Sequence, residues 1–195
     1  MSQEASRDRR GPGLLRGDPV VGWRVLLMRF RADDAAAAAA CYPSVGGAVM
    51  TDLKDIIQRF YRLQSERIET YQLFEEGHEA YLRTGPHYDF DHYKQLVHEI
   101  TQAFCGISKE VLGIKERLHH EFDRPDLSEH LEKLQNKEKQ KLELTAMLQL
   151  ARQQAQDHPE EDEHQERIQE VKQKIIKIKE DLSEIMQDFK FDCEE

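Results

Sequence analysis

Residues 75–104, EEGHEAYLRTGPHYDFDHYKQLVHEITQAF, decide the fold. They read as the end of one amphipathic helix, a Thr-Gly-Pro turn and the start of a second helix. Gly85-Pro86 stops the first, because glycine accepts the left-handed backbone of a C-terminal cap and proline cannot continue the hydrogen-bond ladder. Asp89 or Asp91 then caps the second with a side-chain oxygen. The chain folds back here into a helical hairpin.

Working outward, the apolar residues keep a helical period on both sides of this turn. Leu53, Ile56, Ile57, Phe60, Leu63, Tyr71, Phe74, Tyr81 and Leu82 predict helix one over about Thr51 to Arg83, with Thr51 or Asp52 as cap. Gln64, Arg67 and His78 sit on or near its apolar face and thin it. Phe90, Tyr93, Val97, Ile100, Phe104, Ile107, Val111, Ile114 and Leu118 step by alternating three and four, predicting helix two over about Phe90 to Phe122 with a coiled-coil-like seam. Beside that seam, Ala103, Gly106 and Gly113 form a small-residue strip. Interior glycine costs about 1 kcal/mol against alanine, so the strip predicts close approach by another helix or a local kink.

Arg124-Pro125-Asp126 breaks the chain, and Leu127, Leu131, Leu134, Leu142, Thr145 and Leu148 mark helix three over roughly Leu127 to Ala155. The polar run Asn136 to Lys141 interrupts its apolar side, where packing is expected to be weakest. Asp157-His158-Pro159 makes the last turn. Ile168, Val171, Ile175, Ile178, Leu182, Ile185 and Phe189 then give helix four, about Glu160 to Phe189, followed by a short frayed tail, Phe191 to Glu195. Four long helices on short turns predict an all-α protein: an elongated antiparallel four-helix bundle, or paired long helical hairpins with coiled-coil-like packing. A spare apolar edge on helix four admits a homodimer.

Residues 1–49 differ in kind. They hold seven arginines, five acids, a run of six alanines (Ala35–Ala40) and no lysine, for a net +2; the remainder carries 21 basic and 33 acidic residues, net −12. The expectation is a disordered leader over 1–49, a working start at Met50 and one helical domain over 50–192. A mitochondrial transit peptide is the rival reading, which Glu4, Asp8, Asp18, Asp33 and Asp34 oppose. The acidic remainder argues against direct nucleic-acid binding, which needs a concentrated basic surface. No run of eighteen apolar residues suggests a membrane span. Cys41, Cys105 and Cys193 lack metal or disulfide spacing, which fits a reducing compartment, the nucleus or the cytoplasm.

Glu-x-x-His occurs at Glu75/His78, Glu116/His119 and Glu161/His164, the motif of four-helix di-iron proteins. These pairs fall at different heights along the rods and do not converge. His87, His92 and His98 with Asp89 and Asp91 read as capping and surface groups, since zinc requires four ligands in tetrahedral array. No nucleophile–base pair and no phosphate-binding glycine loop can be named. No metal, cofactor or catalytic residue is therefore expected, and the protein reads as non-enzymatic.

The blocks LFEEGHEAYL, GPHYDFDHYKQLVHEITQAF and SKEVL, with MLQL, KQKIIKI and SEIMQDFKFD further on, resemble the "required for excision" type B domain, a eukaryotic family named for DNA excision repair. The resemblance covers roughly Asp52 to Asp192 and implies a repair connection; it brings no catalytic or ligand residues with it. The resulting expectation is a helical adaptor that binds repair proteins, with His87, Tyr88, Phe90 and Tyr93 at the first turn as candidate partner contacts, since aromatics dominate interface energetics. The alternative for each is that it plugs the hairpin end. A coiled-coil subunit of a trafficking or cytoskeletal assembly is the alternative function, supported by the two clean seams.

Overall fold

The computed structural model describes residues 52–194, so the expected leader over 1–49, the start at Met50 and the Thr51 cap lie outside the described residues. Four helices follow in order: α1 (Leu53–Leu82), α2 (Phe90–His120), α3 (Pro125–Asp157) and α4 (Asp162–Glu194). At 30 to 33 residues each, they are rods of about 45–50 Å.

Each turn has a local cause. Asp89 caps α2, its carboxylate accepting from the His92 amide at 3.2 Å. Pro125 opens α3 at a position where its missing N–H costs nothing. Asp123, between α2 and α3, takes φ 52°, a left-handed backbone that lets the Arg124 amide donate to the Leu118 carbonyl at 2.9 Å.

The Gly85 expectation is corrected. Arg83 caps α1 in an ordinary right-handed conformation, and no left-handed φ occurs at Gly85. Glycine gives room there: a Cβ would stand 2.7 Å from the Gln156 amide and 3.0 Å from the Tyr88 ring and would push both aside. The Gly106 and Gly113 expectation is corrected as well. Both glycines face open space, whereas Gly77 on α1 is where helices approach, since a Cβ there would overlap the Leu96 side chain on α2.

The helices pack as two antiparallel hairpins, α1·α2 and α3·α4, joined through α2 and α3 with a lighter α1·α3 contact. Three clusters fill the interior. The lower one takes residues from all four helices, with Phe60, Val111, Leu118, Leu131, Leu182 and Phe189 at its centre. The upper one, with Phe74, Tyr81, Tyr93, Phe104, Leu142 and Ala146, belongs to α1, α2 and α3 alone. In that upper half α4 leans only on α3, through Leu148, Ala151, Ala155, Ile168 and Val171. Each large side chain removed from water contributes roughly 1.5–3 kcal/mol. The α4 surface leaves Ile176 and Phe191 exposed, about 22 Å apart along the axis at 1.5 Å per residue.

The expected fraying is also corrected over Phe191 to Glu194, Glu195 lying outside the described residues. Helix α4 runs through Glu194. Arg124 donates to the Asp192 carbonyl at 2.5 Å, His130 Nε2 lies 2.7 Å from the Asp192 carboxylate, and Cys193 packs against the lower core. No described helix is long and apolar enough to cross a membrane.

Candidate functional site

Between the lower and upper clusters, α1, α2 and α3 leave a cleft of about 280 Å³. Its position follows from two polar intrusions. Arg67 interrupts the apolar face of α1, and the run Asn136 to Lys141 interrupts that of α3. Both helices point the same way, and each intrusion falls about four turns from its helix start, so they meet at one height.

Arg67 forms the floor and is only 2% exposed. Its guanidinium donates to the side-chain oxygens of Gln135, at 2.6 Å, and Gln64, at 3.5 Å, both neutral. Burial pulls its pKa below the ordinary value while Glu138 acts in the opposite sense; guanidinium nevertheless remains charged at neutral pH. Glu138 accepts from Lys141 at 2.8 Å and from the Tyr71 hydroxyl at 3.2 Å. The Lys141 ammonium also rests 4.1 Å from the centre of the Tyr71 ring, a cation–π contact. Burial lowers the Lys141 pKa, and burial, followed by Glu138, raises that of Tyr71 well above its usual range.

The deep charges are thus two cations and one carboxylate, and that carboxylate pairs with Lys141. Phe104, packed 4.7 Å from Tyr71, supplies an apolar wall with Leu112 and Leu142. Lys139 lines the same opening, as does Lys115, 3.6 Å from the exposed Glu132. A chain of net charge −10 therefore holds, at mid-height, a polar slot with one apolar wall and a net positive lining.

The aromatic turn is placed differently. Tyr93 is buried, stacks on Tyr81 at 4.3 Å and donates its hydroxyl to Gln149 at 2.8 Å. Tyr88 is half-buried and donates to Asp157 at 2.6 Å, tying the α1–α2 turn to the end of α3. Phe90 packs, half-buried, against the same upper cluster, and His87 is exposed. Three of the four thus close the hairpin end. Sequence reasoning passed over Arg67, Tyr71, Gln135, Glu138 and Lys141 as a site; the signal was two polar interruptions at matching heights.

The three Glu-x-x-His pairs stand apart. His78 is buried in the upper core, beside the Glu75–Arg152 ion pair; His119 rests on His120 at the opposite end; His164 pairs with Glu161 at 2.9 Å at the start of α4. Among the described residues, His158, Glu160 and Glu161 bring three ligand atoms within 4.8 Å of one another at the α3–α4 turn, all exposed. Burial pushes the His78 pKa down to about 4, so this imidazole is neutral at physiological pH.

Two long antiparallel hairpins with a polar slot at mid-height define an all-helical protein in class. The family model described as DNA repair REX1-B matches residues 55–152. The chain is 38% identical over 144 residues to a "Required for excision 1-B domain-containing protein" of Bos taurus, covering 73% of this chain and 77% of the relative. A Mus musculus protein of the same name is 36% identical over 140 residues, covering 71% and 80% respectively. This chain belongs to the DNA repair REX1-B family. No solved structure matches it.

Proposed function

We propose that this chain is a non-enzymatic adaptor of DNA excision repair that works by contacting other proteins, in the nucleus, the cytoplasm or both. Membership in a DNA-repair family carries the reading, because it alone ties these helices to a process. The acidic balance of the chain supports contacts with protein over nucleic acid, since phosphate binding requires concentrated positive charge. The cleft supports binding over chemistry. Burial holds the Tyr71 hydroxyl protonated and holds Glu138 between two donors, an arrangement that positions charge without freeing a base.

Proximity labelling in cells before and after ultraviolet damage, combined with survival of cells lacking the protein, tests the reading. Recovery of repair factors that rises with damage, and reduced survival, are the expected results. Unchanged survival, or recovery of tether and motor subunits irrespective of damage, overturns it.

A further inference from the structure

Building on the adaptor reading, we propose that the mid-height cleft is a docking slot for an acidic segment of a partner protein, taking one carboxylate side chain against Arg67 with an apolar neighbour against Phe104 and Tyr71. Three observations carry it. Arg67 is fully enclosed, yet its direct hydrogen-bond partners are the neutral Gln64 and Gln135. A buried cation without a contacting carboxylate is costly, and an anion reaching it relieves that cost. The single deep carboxylate, Glu138, is held by Lys141 and Tyr71. The cleft is open, with Lys115 and Lys139 along its lining to draw in negative charge.

Charge count selects the occupant. The charged residues that line the cleft, Arg67, Lys115 and Lys139 against Glu132 and Glu138, leave one net positive charge. A carboxylate side chain matches it with one negative charge, whereas a phosphate monoester brings about two. The apolar wall favours an acidic residue beside an aromatic one over a free carboxylate.

The test is a nuclear magnetic resonance titration of the full chain with the peptide acetyl-Gly-Phe-Glu-Gly-amide, with Gln in place of Glu as the neutral control and phosphoserine in that place as the dianion. Saturable shifts at Arg67, Tyr71 and Ser108 with the Glu peptide are expected, in the millimolar range appropriate to one anchored side chain. The Gln peptide is expected to bind at least about fivefold more weakly, and Lys115→Glu with Lys139→Glu to weaken the Glu peptide comparably, because lining charges act through the local field. Both substitutions leave Arg67, Tyr71, Gln135 and Glu138 in place, and a retained helical circular dichroism spectrum of the variant separates loss of binding from loss of fold. Equal binding of the Glu and Gln peptides, shifts confined to other surfaces, or tighter binding of the phosphoserine peptide would each overturn the assignment. Survival after ultraviolet damage is read separately: the slot can fail while the repair role stands, and the reverse.

Discussion

At the scale of single residues, the upper core depends on polar groups that are kept neutral. Gln149 is fully buried, with its oxygen accepting from Tyr93 and its nitrogen donating to the Phe74 carbonyl. His78 sits beside them, and burial depresses its pKa to about 4. Between roughly pH 6.5 and that value, the unfolded chain takes a proton at position 78 that the folded chain refuses. Stability therefore rises with pH through this window and is lost as pH falls. From pH 7.5 to 4.5 the His78 contribution amounts to about 2–3 kcal/mol. Denaturant unfolding at several pH values checks this: His78→Leu is expected to lose less stability on acidification than the parent chain, and parallel pH profiles would refute it. At the α2–α3 turn, Asp123→Gly is expected to raise stability by up to about 1 kcal/mol, because glycine holds the left-handed backbone without a Cβ penalty. A lowered thermal midpoint would show instead that the Asp123 side chain contributes more than its backbone costs.

At the scale of elements, helix existence was legible because period is a one-dimensional signal. The three-four seams of α2 and α4 mark buried faces directly: Tyr93, Ile100, Phe104, Ile107, Val111, Ile114 and Leu118 on α2 are all buried. Contacts to α3 were harder to read for a physical reason. That helix packs against α4, α2 and α1 and buries residues on several sides, including Ser128, Gln149 and Gln153 with its leucines and alanines, so no one stripe stands out. The glycines misled because a small residue announces close approach only when a partner occupies the space, and sequence does not name the partner. Gly77→Ala is accordingly expected to destabilise by about 1–3 kcal/mol through the clash with Leu96. Gly106→Ala and Gly113→Ala, in open space on α2, are each expected to stabilise by roughly 0.5–1 kcal/mol. Chemical denaturation of the three variants checks both signs, and stabilisation by Gly77→Ala would contradict the packing. The end of α4 was misread as loose because its acidic residues look solvated in sequence, whereas Arg124 and His130 lie 68 and 62 positions away from Asp192. The cleft was half legible: the weak point on α3 was foreseen, but its coincidence with Arg67 requires the register of two helices that are not sequence neighbours.

At the scale of the whole molecule, the two ends are built unequally. All four helices share the lower cluster, while the upper half splits into a three-helix core and a separate α3·α4 contact whose buried residues include Ala151 and Ala155. Alanines bury less apolar surface than the phenylalanines and leucines below, and buried apolar area sets most of the free energy of local opening. The N-terminal half of α4, about Asp162 to Ile175, is therefore held by less than its C-terminal half, where Ile178, Leu182 and Phe189 enter the lower core and the Arg124 and His130 contacts pin Asp192. Native-state hydrogen exchange is expected to show two regimes within one continuous helix. Amides before Ile175 should exchange through local opening at a free energy below that of global unfolding, and those around Leu182 and Phe189 should exchange only on global unfolding. Replacing Val171, which is 1% exposed, by alanine should widen the gap by speeding the first group while moving the second much less. Uniform protection along α4, or faster exchange at its C-terminal end, would mean that the α3·α4 contact is as strong above the cleft as below it, and that the molecule is cooperative from end to end.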